Sequence, residues 1–194
     1  MSRESLKGFV EGEGYVSIEA EHYSKKTDVD SRRWIKIEDY GHTLSAMRAS
    51  ASPHIIEATP GKNSPSLEYQ MYVFSTGKFD ITAILSPTLN FMPDRALRFA
   101  ISIDDESPQI FTIVPDHYSA QNGNRDWEKS VVDNARYSHT THTIANPGYH
   151  ILKIWMVDPG VVLQKLVMNT GGVKPCYLGP PESFHGEGSS LEEK

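Results

Sequence analysis

The chain has 194 residues, 38% of them hydrophobic and 23% charged, with a formal net charge of −6 at pH 7. That length fits one domain with a proper core, and that balance is of a folded soluble protein, not a disordered one. An acidic balance without a basic stripe argues against nucleic acid as a partner, because phosphate binding needs clustered Lys and Arg. Cys176 is the only cysteine, so no intrachain disulfide can form; this suits the cytosol, and equally an exported protein that does without disulfides. No apolar run approaches a bilayer span, so no membrane partner is expected, and the opening MSRESLKGF lacks the hydrophobic region of a signal peptide. The chain is therefore either intracellular or a piece of a longer exported one.

Residues 1–14 are polar and Gly-rich and read as a lead-in. Tyr15 to Glu21 alternates, with Val16, Ile18 and Ala20 on one face and Ser17, Glu19 and Glu21 on the other. This predicts a first strand with one wet or liganded face. After a charged loop, Trp34 to Ile37 is a short strand closed by Asp39-Tyr40-Gly41, and His54 to Pro65 is a loop. Leu67 to Phe74 and Lys78 to Leu85 form two strands joined by a hairpin-like Ser75-Thr76-Gly77-Lys78 connection. Their inward rows are Leu67, Tyr69, Met71, Val73 and Phe79, Ile81, Ala83, Leu85. Leu97 to Ile103 alternates again, an acidic turn Asp104-Asp105-Glu106 follows, and Gln109 to Val114 is another strand. Asp126 to Arg136 reads as the single short helix, with Asp126 as N-cap and Trp127, Val131 and Ala135 four apart on one face.

Ser138 to Ile144 is Thr-rich and β-prone. Asn146 to Gly172 then reads as the central hairpin, apolar on both faces and hence buried from both sides, turning at Asp158-Pro159-Gly160. Asp can bond its own downstream backbone there, Pro presets φ and Gly accepts φ > 0. The sandwich is expected to span 15–175; residues 176–194 form a Pro-, Gly- and Ser-rich tail, with disorder beyond about Glu182. The fold class is all-β: an antiparallel β-sandwich of jelly-roll type with one short helix.

Chemistry-bearing spacings are few. Glu19-Ala20-Glu21 puts two carboxylates on one strand face, about 7 Å apart, either as a solvated face or as ligands of a cation such as calcium, which prefers hard oxygen donors. Trp34, Tyr40, Tyr118 and Trp127 lie in or beside loops, where flat rings can stack on sugar rings if they are not core. His139 and His142, three apart on a strand, point to opposite faces and lack the register of a zinc motif. Nothing nominates a nucleophile elbow, a triad or a carboxylate pair flanking a cleft, so no catalytic residue is named.

Four motifs carry a resemblance: GYVSIEAEHY (Gly14–Tyr23), LRFAISIDD (Leu97–Asp105), PGYHILKIWMVDPGVVLQKLVMNTGG (Pro147–Gly172) and YLGPPES (Tyr177–Ser183). Together they resemble the C-terminal domain of family 115 glycoside hydrolases, xylan α-1,2-glucuronidases that remove glucuronic acid or its 4-O-methyl form from xylan side chains. The resemblance implies a galactose-binding-like sandwich akin to carbohydrate-binding modules of families 6 and 35. In those modules the first-strand Glu-x-Glu often helps to hold a structural calcium with an acid on the last strand. Glu19 and Glu21 match the first part, and Gln164 stands where the acid is common. The implied role is a non-catalytic accessory domain that supports upstream catalytic domains and contacts xylan, periplasmic or extracellular within its parent. Two rival readings are an autonomous module for glucuronoxylan, with Trp34, Tyr40, Tyr118 and Trp127 as platform and Arg125 for a uronate carboxylate, and a structural or dimerisation domain.

Overall fold

The computed structural model describes residues 3–187. After a 3-10 turn at Arg3–Ser5, thirteen strands and one helix follow: β1 Lys7–Val10, β2 Tyr15–Glu19, β3 Lys25–Thr27, β4 Arg33–Ile37, β5 Ala46–Ser50, β6 Ser66–Val73, β7 Gly77–Leu85, β8 Leu97–Ile103, β9 Gln109–Val114, α1 Arg125–Asp133, β10 Arg136–Ile144, β11 Gly148–Met156, β12 Val162–Asn169 and β13 His185–Glu187. They form two facing sheets. The seven-stranded sheet runs β13-β1-β6-β11-β8-β9 with β3 also on β6, and the six-stranded sheet runs β10-β7-β12-β5-β4 with β2 also on β12.

The alternating rows meet between the sheets as expected. Leu67, Tyr69, Met71 and Val73 of β6, Ile81, Ala83 and Leu85 of β7, and Leu97, Phe99, Ile101 and Ile103 of β8 join one core with Val16 and Ile18 of β2. The reason is the pleat: period two sends alternate side chains to one face, and that face is buried by the opposite sheet.

Both expected hairpins are corrected. β6 lies in one sheet and β7 in the other, and so do β11 and β12. The connections 74–76 and 157–161 are arches that carry the chain across the sandwich. Each is tied by a buried carboxylate. Glu11 accepts bonds from the backbone N–H groups of Phe74 (2.6 Å) and Ser75 (2.8 Å) at one end, and at the other Asp158, itself part of the arch, accepts from Arg95 and Arg98, as described below. A turn signal specifies that the chain reverses but not which strand it pairs with afterwards. The expectation that β11 is buried on both faces is also corrected: its outer side carries Tyr149, 49% exposed, in edge contact with Tyr72.

The ends differ from expectation as well. The lead-in contributes β1, which pairs in parallel with β6 through Phe9↔Met71 and Val10↔Tyr72, with Phe9 and Val10 wholly buried. Within the supposed tail, 173–184 crosses the outside of the six-stranded sheet, and β13 then pairs with β1. Residues 183–187 are therefore ordered; the remainder of the expected disorder lies outside the described residues. The helix begins at Arg125 with Asn124, not Asp126, as its N-cap and stops at Asn134, which takes the left-handed conformation. Asp126 instead pairs with Arg136 at 2.5 Å. Val131 is 54% exposed and Ala135 lies beyond the helix end, packed with Ile84 and Val167; the four-apart row is not one buried face.

Candidate functional site

Three places gather chemistry-bearing side chains. The first is the expected cation site. Glu19 ends β2 and is buried, but its face is not wet: the returning segment 173–184 covers it. Ser17 Oγ donates to Pro180 O at 3.0 Å, and Glu19 N to Glu182 Oε1 at 2.9 Å. A bulge between Leu163 and Lys165 places Gln164 and Lys165 side by side without moving Leu163 and Leu166 from the core. The Lys165 ammonium lies 2.9 Å from Glu19 Oε1 and donates to Leu178 O (3.1 Å) and Pro180 O (3.3 Å). That uses all three of its donors. Glu19 Oε1 also accepts from Thr43 Oγ1 at 2.6 Å. Glu21 pairs with Lys36 (2.5 Å) and accepts from Ser45 N (2.9 Å). Burial opposes ionisation of Glu21, yet Lys36 and Ser45 outweigh it and hold the carboxyl below its usual value. Gln164 accepts from His42 N and donates to Ser86 Oγ.

This donor set does not fit calcium. Calcium needs six to eight oxygens converging on one point, whereas these oxygens already accept from internal donors and face two ammonium groups. Among the described residues no group of three or more acidic, His or Cys side chains is placed to hold a metal ion. His139 and His142 do face apart: His139 is exposed beside Thr82, and His142 is buried against Glu106 and Thr140.

The expected aromatic platform does not assemble. Trp34 is fully buried in the core, its indole N–H donating to Pro65 O at 3.2 Å, so its place beside a charged loop misled. Tyr40 is exposed on the β4–β5 loop. Tyr118, Arg125 and Trp127 belong to the separate β9–α1 region, where the Arg136 guanidinium lies over the Tyr118 ring at 4.8 Å. Arg125 is exposed at the first turn of α1, and Trp127 is half-buried.

The third place was missed in the sequence and lies at the end of the sandwich formed by residues 51–65, 86–96, 115–124 and 157–161. Asp158, with no exposed surface, accepts from Arg95 Nε (2.7 Å), Arg98 Nε (2.8 Å) and Arg98 N (3.0 Å). Arg95 reaches on to Ile55 O and Arg98 to Glu57. On the other side of the same turn, a pocket of about 180 Å³ is lined by Arg48, Ser50, His54, Phe91, Pro159 and Gly160. Gly160 has φ +95°, and a Cβ there would collide with the Phe91 ring. Only glycine lets that ring, 44% exposed, rest on the turn. A larger open groove, about 730 Å³, runs past His22, Tyr23, Gln70 and Glu182, but its His22 and Glu182 are bonded to each other at 2.9 Å.

Two facing sheets with loops gathered at one end and a half-open cavity among them define a carbohydrate-binding-module-like β-sandwich. Solved structures share that fold. The C-terminal family 6 module of a laminarinase from Zobellia galactanivorans matches with TM-score 0.51 and 14% identity, over 80% of this chain and 98% of that one. A family 35 module from Clostridium thermocellum matches with TM-score 0.51 and 11% identity, over 79% and 97%. A family 115 4-O-methyl-α-glucuronidase with specificity for decorated arabinogalactans matches with TM-score 0.55 and 17% identity, over 75% of this chain but 17% of that one. No curated protein matches the chain in sequence. The description "Glycosyl hydrolase family 115 C-terminal domain" matches residues 8–182, and the chain belongs to that family. It spans about a sixth of the length of the solved glucuronidase.

Proposed function

We propose that the chain is the non-catalytic accessory sandwich of an exported α-glucuronidase acting on xylan or a similar polysaccharide with glucuronate branches. Its partner is then the upstream catalytic part of the same enzyme. The family match over 8–182 carries this reading, and the small share of the solved glucuronidase that it spans agrees. The fate of the buried carboxylates supports it. Glycoside hydrolysis needs two carboxyl groups facing each other across a cleft, about 5 to 9.5 Å apart. Here Glu11, Glu19 and Asp158 are each committed to donors from their own fold. No helix among the described residues is long and apolar enough to cross a membrane.

The test compares the parent enzyme with and without this domain on aldouronic acids and on polymeric glucuronoxylan. Loss of activity or of polymer preference on removal supports the role. Hydrolysis of aldouronic acids by this chain alone overturns it.

A further inference from the structure

We infer that the outer face of the seven-stranded sheet around Tyr72, Phe74, Tyr149 and Ile151 is the surface on which the preceding part of the same polypeptide docks. The inference rests on the accessory reading, which supplies that preceding part.

Patterning is the first ground. A strand whose outer side meets water carries polar residues there, and β7 does so with Lys78, Asp80 and Thr82. β11 does not. Its Leu152, Ile154 and Met156 enter the core, and its opposite row is Tyr149, Ile151, Lys153 and Trp155, with one charge. The register sets Tyr149 beside Tyr72. The Tyr72 ring stands edge-on to both Phe74 and Tyr149, with centroids 5.0 Å apart in each pair, and Phe74 and Tyr149 are each 49% exposed. Nearby charge is already satisfied: Lys25 pairs with Glu68 at 3.1 Å, and Lys153 donates to Asp104 O at 3.2 Å. Fixed aromatic rings without unpaired charge are the composition of an interface core. Ile151 offers nothing to a sugar hydroxyl, but it suits an apolar protein surface.

Position is the second ground. The Arg3 guanidinium donates to Glu11 O at 3.2 Å, and the Glu11 carboxylate holds the Phe74 N–H. The Lys7 N–H donates to the Tyr149 hydroxyl at 3.3 Å, and β1 sets Val10 beside Tyr72. Polypeptide preceding Arg3 therefore arrives beside this cluster. The match is to a C-terminal domain, and the chain covers 17% of the solved glucuronidase, so on the accessory reading most of the parent lies on that side. Area is the third ground. An aromatic side chain carries roughly 150–250 Å², so the two half-exposed rings offer on the order of 200 Å². Free association takes about 800 Å² per partner, more than this cluster gives to a second copy. A tethered neighbour meets it at an effective concentration of about millimolar and needs far less.

The experiment is hydroxyl-radical footprinting with mass spectrometry, comparing this chain alone with the whole parent enzyme. Oxidation of Phe74 and Tyr149 is expected to fall about fivefold or more in the parent, as for rings at the core of an interface. Phe74→Lys in the parent should return Tyr149 toward its oxidation in the free chain, and thermal unfolding of the free chain carrying the same substitution separates lost docking from lost fold. Should that variant unfold, the wild-type comparison decides alone. Equal oxidation in chain and parent would overturn the inference. So would protection in the free chain that grows with its own concentration, which means a second copy, or protection that needs added glucuronoxylan, which means a sugar surface. The accessory role is read separately by the deletion comparison: an effect of deletion with the rings still exposed strikes this surface and keeps the role, whereas protected rings with no effect of deletion strike the role.

Discussion

Two pairs of arginines at the loop end of this sandwich are placed in opposite ways. On the inner side of Asp158-Pro159-Gly160, Arg95 and Arg98 converge on a carboxylate with no exposed surface. On the outer side, Arg48 borders the pocket and Arg33 lies diagonally beside it, with no acid between them. The first pair acts as a fastener: it neutralises a buried charge and ties residues 55, 57, 95, 98 and 158 into one unit. The second stays exposed on the outer face, with no carboxylate partner among the described residues. The same residue type is architecture where the fold supplies its carboxylate and exposed surface charge where it does not. Lys165, satisfied beneath the returning segment, belongs with the first kind.

The largest expected effect comes from breaking the fastener. Asp158→Ala leaves two guanidinium groups partly buried without their acceptor and should cost on the order of 3–5 kcal/mol in urea unfolding; a loss under about 1 kcal/mol would show that the knot is no more than a surface pair. Lys165→Ala should be similarly damaging, because Glu19 keeps its burial and loses its counter-charge. The paired replacement Lys165→Met with Glu19→Leu should recover most of that loss, since an apolar pair of similar volume is often neutral in such a place. Failure of the double variant to recover would mean that the bonds to Leu178 and Pro180 matter more than the ion pair.

Glu11 allows a finer comparison, because its donors are neutral. Burial opposes its ionisation, but bonds from Ser75 and from the Phe74 backbone prevail and hold the carboxyl below its ordinary value. A lowered folded value contributes stability that is fully present above the unfolded value of about 4.3 and disappears as pH falls through the folded one. Glu11→Gln should therefore cost on the order of 1–3 kcal/mol at neutral pH and flatten the acid limb of the stability curve; an unchanged acid limb would assign that slope to other groups. Chelator or added calcium should leave the melting temperature where it is, since a ligand that does not bind the folded state cannot shift it. A rise with calcium would contradict the misfit of Glu19, Glu21 and Gln164. Smallest of all, Arg48→Gln should change stability in urea unfolding by no more than about 0.5 kcal/mol, because the exposed guanidinium has no partner in the fold.

Much of the scaffold was legible because alternation is a local property. The inward rows of β2, β6, β7 and β8 follow from period two alone, and the four long motifs carried the family. β1, β3, β5 and β13 were not seen, being three to five residues long and dependent on neighbours for their pairing. The candidate site suffered most from this. Arg48 stands on the unseen β5, and its relation to Arg33 exists only through the β4–β5 register. Trp34 failed differently: it follows a charged loop in the sequence, but its ring is fully buried in the core cluster.

The amino-acid sequence by itself determined that this is a β-sandwich, which side chains face inward along its longer strands, and which family it belongs with. All of these rest on periodicities and ordered motifs within short windows. Only the tertiary structure decided that β11 and β12 lie in opposite sheets, that Lys165 meets Glu19 under a crossing segment, and that Arg48 is left unpaired beside Phe91. Those outcomes depend on which distant segments come together. The turn at Asp158-Pro159-Gly160 is the same local chemistry in a hairpin or an arch, and it became an arch because a buried carboxylate found two arginines some sixty residues away in the chain.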